Sequence, residues 1–420
     1  MPSLAQSVAG LAESSAGRAC LDWFRRERNW INEQHLQLCR IPAPTFFEEK
    51  RALWMAEQFR ALGWEAKLDR SGNVVATLPG YRDAPVVAVT AHLDTVLAPR
   101  APEDIKVLGD GRFAGPGVAD NGAGLAALLA LAAAWKASPP MRDTAASDLP
   151  VAPMLVANVG EEGEGNLSGM RYFCRQTAAK IRAFLVLDGP GMEHITSRAL
   201  ASRRFELTVA GPGGHSWRDA GVGNPVHALS RAITLFTAQA PILDTPSQAN
   251  PSEDNPRSSF NFGIFEGGSS INSIPSEARA KIDLRSESPE RIEKMATLLK
   301  LALEKAVETE NARGGAARAA GRVTSTMKEI GSRPSGELAD GAPILEATRA
   351  VDLHLGIRSH LDCSSTDANI PLSLGLQAVS IGAGGQGGGA HTASEWYLPE
   401  GRERGLRRVM LALCVLLASE

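Results

Sequence analysis

The chain has 420 residues, of which 44% are hydrophobic, and its 44 Lys and Arg residues nearly balance 47 Asp and Glu residues, for a formal net charge of -3. This length is more than one ordinary core needs, so we expect two domains. Because the balanced charge offers no basic surface, we expect neither a nucleic-acid partner nor a membrane partner.

The N-terminus and the cysteines indicate the compartment. Residues 1–17 have no basic start and no continuous apolar run, so they do not resemble a signal peptide. The apolar stretches at residues 123–134 and 409–417 are too short to cross a bilayer. The cysteines lie far apart without a CxxC pair: Cys20, Cys39, Cys174, Cys363 and Cys414. We therefore expect free, buried thiols in the cytoplasm.

Strands and helices alternate along the first part of the chain. After a polar leader, the pattern predicts helices at residues 20–38, 45–63, 122–136 and about 166–178, and strands at residues 73–78, 85–90, 153–159 and 183–187. The second helix has Thr45 and Glu48 in capping-box spacing. This alternation predicts an α/β fold with a mostly parallel sheet.

The pattern changes after Ser197. It predicts strands at residues 204–209, 258–265, 278–284 and 323–330, helices at 225–240 and 289–309, and a polar surface loop at 244–257. This βαββαβ order predicts a small α+β domain inserted into the first one. From about Pro334 the α/β pattern resumes and ends in a helix at residues 402–418. The predicted domains are therefore residues 1–197 with 334–420, and the insert at 198–333.

Ligand-type side chains follow the apolar strand at residues 85–90. His92 and Asp94 are two apart on an extended segment and face the same way. Asp94 can therefore accept a hydrogen bond from one nitrogen of His92 while the other nitrogen binds a metal. A surface histidine beside an acid is the alternative. Asp120 lies in the glycine-rich segment 115–124 before the Ala-rich helix, where an N-cap is the alternative role.

Two adjacent carboxylates, Glu161 and Glu162, follow the strand at residues 153–159. Their mutual repulsion is unfavourable unless a cation lies between them, although a solvated acidic turn is the alternative. Adjacent residues at a strand end point apart. One of them can bind a cation while the other faces the solvent that the cation holds.

Two further strands end in the same way. Asp188 follows the strand at residues 183–187, and the glycine-rich run 382–390 leads from an apolar strand at 378–381 to His391. A flexible linker is the alternative for that run. Between a buried strand and a histidine, glycines are better explained as allowing close approach of the backbone to a ligand.

Taken together, these positions predict a metal centre, because ligands bind at the carboxyl ends of the strands in an open α/β sheet. The five predicted ligands are two imidazoles and three carboxylates: His92, Asp120, Glu162, Asp188 and His391. This mixture favours Zn²⁺ over Ca²⁺ or Mg²⁺. Five ligands exceed one tetrahedral site but suffice for two ions if one carboxylate bridges them. Co²⁺ or Mn²⁺ are alternative metals.

Six segments resemble, in order, those of a zinc metallopeptidase family that includes peptidase T, acetylornithine deacetylase, succinyl-diaminopimelate desuccinylase and glutamate carboxypeptidase. The resemblance runs from about residue 40 to the C-terminus. The segments are TAHLDTV (90–96), GPGVADNGAG (115–124), GEEGEG (160–165), LDGPG (187–191), GPGGHS (211–216) and GGGAHTASEW (387–396). The stretch STDANIP (365–371) and the ending HTASEW are most similar to the peptidase T-like branch.

The resemblance implies a role for each matching residue. It implies that Asp120 bridges two zinc ions, that one ion is completed by His92 and Asp188, and that the other is completed by Glu162 and His391. It also implies that Glu161 is the general base and that Asp94 orients His92.

The resemblance extends to the insert, which is similar to the family's lid or dimerisation domain and implies a homodimer. His215 matches a residue that stabilises the oxyanion, often across the dimer. Asn272 and Arg285 match positions that bind the substrate carboxylate in some relatives; for Arg285 a strand-end ion pair is the alternative. The other histidines match no motif and are interpreted as structural or surface residues: His35, His194, His227, His354 and His360.

The expected function is hydrolysis of an amide bond in a small peptide by a metal-activated water, as in an aminopeptidase or tripeptidase. A deacylase of N-acyl amino acids, a carbamoylase and a dipeptidase or carboxypeptidase are alternatives within the same chemistry. A metal-binding interaction protein without catalysis is an alternative of another class.

Overall fold

The structure is a computed structural model, and it describes residues 3–80, 85–140, 151–240, 256–313 and 321–418. The chain forms two compact units, Met1–Ala199 with Gly336–Glu420, and Leu200–Ser335. Each division lies two residues after the boundary expected from the sequence. Most of the predicted loop at residues 244–257 lies outside the described residues.

The first segment of the larger unit contains six helices and eight strands among its described residues. The helices are α1 (Leu4–Glu13), α2 (Ser15–Arg26), α3 (Arg28–Cys39), α4 (Glu49–Ala61), α5 (Gly122–Ala137) and α6 (Ser168–Thr177). The strands are β1 (Glu65–Leu68), β2 (Val74–Thr77), β3 (Val86–His92), β4 (Lys106–Val107), β5 (Phe113–Ala114), β6 (Ala152–Asn158), β7 (Ile181–Leu187) and β8 (His194–Ala199).

The inserted unit follows directly. Its elements are β9 (Ala201–Ala210), β10 (Gly214–His215), α7 (Pro225–Gln239), β11 (Ser258–Gly267), β12 (Ser273–Ile274), β13 (Glu277–Ser286), α8 (Pro289–Arg313) and β14 (Thr324–Arg333).

The chain then returns to the larger unit. The returning elements are β15 (Gly336–Glu337), α9 (Pro343–Leu355), β16 (His360–Ser364), α10 (Asn369–Ser373), β17 (Ala378–Ile381), β18 (Gln386–Gly388), β19 (Trp396–Leu398) and α11 (Arg402–Ala418).

The larger unit is built on one mixed sheet with the strand order β1-β2-β6-β3-β7-β17-β8-β15, and β16 pairs with β8. Its four central strands, β6, β3, β7 and β17, are parallel. Every residue of β3 and β17 is buried, as expected for strands covered on both faces. The predicted α/β class with a mostly parallel sheet is confirmed.

Helix α5 shows how the core is closed on one side of this sheet. All its residues from Gly122 to Trp135 are buried, and its sequence is almost entirely Ala and Leu. A helix that is apolar on every side has to be surrounded by protein. It packs against α3, α2 and β3, so it is an internal helix of the larger unit.

The inserted unit contains a four-stranded antiparallel sheet with the order β11-β13-β9-β14. Phe205, Leu207 and Val209 alternate along β9 with less buried residues, and the same alternation is found on β13. One face of this sheet is therefore apolar, and α7 and α8 pack against it. The predicted α+β insert is confirmed.

The predicted polar leader is wrong, because residues 4–13 and 15–26 form α1 and α2. Ser3 and Gln6 make a reciprocal capping box at the start of α1. The predicted single helix at residues 20–38 is also interrupted at Glu27, which separates α2 from α3. Trp23 and Phe24 are buried, so tertiary packing stabilises this segment.

The cysteines and the apolar helices were both considered in the sequence analysis. All five cysteines are free; four are buried, and Cys363 is partly exposed. Among the helices of the described residues, none has both the length and the apolar composition that would let it cross a membrane.

Candidate metal centre

The parallel strands bring four ligand-bearing segments to one edge of the central sheet. Strand β3 ends at His92, which lies opposite Asn158, the last residue of β6. Strands β7 and β17 end beside each other at Leu187 and Ile381. Because parallel strands share a carboxyl edge, the residues that follow each strand start from the same side of the sheet.

The first group of ligand atoms consists of His92, Asp120 and Asp188. Nε2 of His92 lies 3.0 Å from Oδ1 of Asp120 and 4.0 Å from Oδ1 of Asp188. One atom from each residue can be chosen so that all lie within 4.8 Å of one another. Atoms this close can bind one common cation.

The second group consists of Asp120, Glu162 and His391. Nε2 of His391 lies 3.0 Å from Oδ2 of Asp120 and 2.9 Å from Oε1 of Glu162. Asp120 therefore presents one carboxylate oxygen to each group. The structure brings together all five ligands expected from the sequence, with Asp120 in the central position.

Glu161 also lies at this edge. Its carboxylate belongs to a third close group, with His92 and Glu162, and its side chain is buried. The main-chain N–H groups of Glu161 and Glu162 donate to the two carboxylate oxygens of Asp94, at 3.0 and 2.9 Å. The backbone of the two adjacent glutamates is therefore fixed to the segment that carries His92.

Asp94 contacts His92 through both its main chain and its carboxylate. Nδ1 of His92 pairs with the main-chain oxygen of Asp94 at 3.0 Å, and the nearest carboxylate oxygen is 3.5 Å away. The carboxylate also accepts the two N–H groups described above and the hydroxyl of Thr45 at 3.0 Å. Thr45 therefore does not cap a helix, and α4 begins only at Glu49.

Glu395 holds the segment that carries Asp120, a role that we did not predict. Its carboxylate accepts three main-chain N–H groups, from Gly117 and Ala119 at 2.7 Å and from Asp120 at 2.8 Å. Glu395 is buried, and it lies four residues after His391. The only sequence signal is its position within the HTASEW segment.

His35 supports the same segment through the backbone of Val118. Its Nε2 pairs with the main-chain oxygen of Val118 at 2.7 Å. Burial, with a smaller effect from the positive charge of Arg402, lowers the pKa of His35 to about 3. The ring is therefore neutral at pH 7, and Nε2–H donates to Val118. Asn121, the N-cap of α5, adds a hydrogen bond from Nδ2 to the oxygen of Leu187 at 2.8 Å.

His391 reaches the centre from a glycine-rich loop. Its φ angle is 65°, which is uncommon for a residue with a side chain, and its side chain is 53% exposed. A Cβ atom at Gly387 would lie 2.8 Å from Pro190 and 2.9 Å from Ala119. The loop therefore approaches the segments that carry Asp120 and Asp188 at a distance that only glycine permits.

The electrostatics of the centre indicate a need for positive charge. Hydrogen bonds to Asp120 and Glu162 raise the pKa of His391 to about 10. Burial lowers the pKa of His92, but its pairing with Asp120 and Asp94 outweighs that effect and raises the pKa well above the usual value. Burial, with the nearby charge of Asp120, raises the pKa of Asp188 to about 7. Without a cation, protons neutralise the excess of carboxylates.

The remaining predicted residues lie in the inserted unit. Nδ1 of His215 accepts the N–H groups of Trp217 and Arg218 at 3.2 and 3.3 Å. His215 pairs with Ser273 in the β10–β12 ribbon, and Asn272 immediately precedes that residue. Both His215 and Asn272 are exposed.

Arg285 is remote from that ribbon within the inserted unit. Nε of Arg285 donates to Asp283 at 2.7 Å, which is the ion pair that the sequence left as an alternative. Strand β13 runs from Glu277 to Ser286, so Arg285 is at its far end, roughly 25 Å from Glu277 at about 3.3 Å per residue.

Comparisons with known proteins agree with this architecture. Residues 201–311 match the peptidase dimerisation domain, and residues 73–209 match peptidase family M28. The chain is 24% identical over 367 residues to the uncharacterized protein YqjE of Bacillus subtilis, across 84% of this chain and 89% of that protein.

Solved structures with the same fold include two peptidases. The aminopeptidase PepT from Bacillus cereus is 21% identical with a TM-score of 0.68, covering 93% of this chain and 99% of that one. A tripeptidase from Staphylococcus aureus is 19% identical with a TM-score of 0.70, covering 93% and 98%. The chain thus shares the fold of these peptidases, an α/β domain with an inserted domain that matches the peptidase dimerisation domain, and it is a hydrolase.

Proposed function

We propose that the chain is a two-zinc hydrolase that cleaves an amide bond in small peptides, as an aminopeptidase or tripeptidase does. The observation that carries this proposal is the position of Asp120. Its two oxygens each lie 3.0 Å from a different imidazole, His92 on one side and His391 on the other. A carboxylate shared in this way suits a pair of cations better than a single one.

The donor set fits zinc. Two imidazole nitrogens and three carboxylates form a borderline set, whereas Mg²⁺ and Ca²⁺ take oxygen ligands. His92 and Asp188 would hold one ion, Glu162 and His391 would hold the other, and Asp120 would bind both. Two zinc ions, when bound, supply Lewis acidity and lower the pKa of a water that they hold from ~16 towards ~7. Co²⁺ or Mn²⁺ would occupy the same ligands.

Glu161 is the proposed general base. Its buried carboxylate lies beside His92 and Glu162, so it is next to the position that the attacking water would take. It takes a proton from that water and later gives it to the departing amine. Proton transfer of this kind contributes about 10²–10⁴-fold to the rate. Asp94 supports the step because it fixes the N–H groups of Glu161 and Glu162.

His215 is the proposed oxyanion donor. Because its Nδ1 accepts two N–H groups, that nitrogen carries no proton, and Nε2–H is left as the donor. A donor of this kind contributes about 3–4 kcal/mol when it is aimed at the developing oxyanion. Asn272, which lies on the same ribbon, is proposed to bind the substrate carboxylate. For Arg285 the ion pair with Asp283 is the better supported role.

We further propose that the chain forms a homodimer through the inserted unit. That unit matches the peptidase dimerisation domain. Strand β11 lies at the edge of its sheet and exposes Ile264 and Phe265 by 42% and 45%. An exposed apolar edge strand favours pairing with a second chain. Light scattering of the purified protein tests the oligomeric state.

The cytoplasm is the proposed compartment, and the free cysteines support it. Four of the five thiols are buried and none is in a disulfide. Such thiols are typical of proteins in a reducing compartment.

One experiment tests the central proposal. The metal-free protein is titrated with zinc, and hydrolysis of di- and tripeptides is compared with that of N-acetyl and N-succinyl amino acids. We expect turnover to require two zinc ions per chain and to favour the peptides. Preference for the acyl amino acids would favour the deacylase alternative. Zinc binding without any turnover would favour the non-catalytic interaction protein. The same titration is made with Asp120→Asn, which removes the carboxylate that both groups share. Asp110→Asn, at an exposed acidic residue, is its matched control.

A further inference from the structure

A turn beside the metal centre carries two aromatic side chains that are mostly exposed. Phe46 is 63% exposed and Phe47 is 72% exposed. The segment that follows His92 adds Val96 and Leu97, exposed by 44% and 41%. Pro44 and Thr95 form a parallel bridge, so the two apolar segments leave the sheet side by side. The result is an apolar patch made of Phe46, Phe47, Val96 and Leu97.

The turn is attached directly to the residues of the centre. On one flank, Thr45 donates to the carboxylate of Asp94 at 3.0 Å. On the other flank, Glu48 accepts the N–H of Gly160 at 3.1 Å, one residue before Glu161. The apolar patch is therefore held by the same segments that position His92 and Glu161.

Phe46 has a backbone conformation that is unfavourable for its residue type. Its φ angle is 75°, in the left-handed region, where a bulky side chain is an outlier. Such strain persists only where the surroundings impose it. Here Arg51, fully buried, donates to the main-chain oxygens of Ile41 and Leu93 at 2.7 Å and so joins the two segments.

Folding explains neither the exposure of the two phenyl rings nor the left-handed backbone of Phe46. An exposed phenyl ring gains little from burial, and a glycine would satisfy the left-handed conformation without strain. Strain and apolar exposure at one place beside a catalytic centre are typical of a site that binds a ligand.

We propose that Phe46 and Phe47, with Val96 and Leu97, form an apolar subsite for a leucine-sized or aromatic side chain that flanks the scissile amide bond. This inference rests on the proposed function, and it names the substrate class as small peptides with an apolar residue. Burial of such a side chain against the patch favours leucine over alanine peptides by about tenfold.

The test compares tripeptides that carry leucine or alanine at each of the three positions, with glycine elsewhere. In the wild type, kcat/KM for leucine exceeds that for alanine by about tenfold at one position. Phe46→Ala and Phe47→Ala lower this ratio towards one, whereas Leu353→Ala, which removes a 77% exposed leucine on α9, leaves it unchanged. An unchanged ratio in both phenylalanine variants, with normal zinc content, overturns the subsite.

Two further measurements separate the possible failures. Phe46→Gly removes the strain, so we expect an unchanged or higher melting temperature together with the lost leucine preference. A lower melting temperature with the preference intact shows a structural role and overturns the proposal.

Binding of the same peptides to zinc-loaded Glu161→Ala, followed by calorimetry, tests the subsite without turnover. If the wild type cleaves no peptide, the proposed function fails, and the subsite is judged by this binding preference alone. A change of oligomeric state in Phe47→Ala with unaltered selectivity assigns the patch to a contact between chains and overturns the subsite.

Discussion

Removal of the Glu395 carboxylate tests how the segment that carries Asp120 is held. Three buried N–H groups, of Gly117, Ala119 and Asp120, donate to this carboxylate at 2.7, 2.7 and 2.8 Å. Each buried donor left without a partner costs about 1–3 kcal/mol, so the Glu395→Ala variant loses roughly 3–9 kcal/mol before relaxation. Water in the vacated space reduces this sum, as does relief from burying a carboxylate whose pKa burial raises. We expect a net loss of about 3 kcal/mol in local stability.

Hydrogen exchange of peptides covering residues 113–122 is the sharpest measurement, because two units can unfold in separate transitions. A loss of about 3 kcal/mol corresponds to exchange that is about a hundredfold faster. Zinc content after dialysis should fall as well, since Asp120 serves both ligand groups. Glu400→Ala, which removes an exposed carboxylate nearby, is the control and should change neither quantity. Wild-type exchange and full zinc content in Glu395→Ala would refute the reasoning.

Four further predictions concern catalysis, metal binding, stability and the dimer. Glu161→Ala should keep two zinc ions and lose about 10²–10⁴-fold in kcat, measured with a tripeptide; a near wild-type rate with both ions bound would remove Glu161 as the base. Zinc binding at pH 7 should release about two to three protons, measured by calorimetry in buffers of different ionisation enthalpy, because His92 and His391 are protonated in the metal-free protein and Asp188, with a pKa of about 7, is about half protonated. Folding raises the pKa of His391 from 6.5 to about 10, so protonation of His391 stabilises the folded metal-free protein. This stabilisation is complete below pH 6.5 and is lost as the pH rises through 10. A metal-free protein that becomes more stable over that pH range would contradict this prediction. Mixing inactive Glu161→Ala and His215→Ala chains should restore about a quarter of the wild-type activity if His215 acts across the dimer, and none if it acts within its own chain.

The sequence was sufficient for the sheet and the insert but not for the N-terminus. Buried parallel strands such as β3 are short, continuous apolar runs, which is the pattern expected of a strand covered on both faces. Helices α1 and α2 begin in a segment rich in Ser, Ala and Gly, whose composition suggests a loop. Their stability comes from burial of Val8, Trp23 and Phe24 in the core, and tertiary contacts of this kind are not encoded in local propensity.

The same distinction applies to the candidate site. Each ligand carries a local signal, since an Asp, Glu or His follows an apolar strand or opens a helix. His35 carries no such signal and Glu395 has only its position within HTASEW, because their partners are backbone groups of residues 117–120, far away in the sequence. A side chain can form a hydrogen bond with the backbone of any residue type. Such a contact therefore leaves no recognisable pair of residue types in the sequence.

The need for these supports follows from where Asp120 lies. His92 is part of a strand, and Glu162 and Asp188 each follow one closely, so the hydrogen bonds of the sheet fix their backbone. Asp120 follows a loop and precedes α5, where no sheet hydrogen bonds fix it. Both groups share the carboxylate of Asp120, so its position has to be held most accurately. A shift towards one imidazole is a shift away from the other. The fold meets this demand with the carboxylate of Glu395 and the neutral imidazole of His35, and neither of these is among the five predicted ligands. The position of the proposed shared ligand thus depends on two residues outside the proposed metal-binding set, so we expect substitution of either one to weaken metal binding.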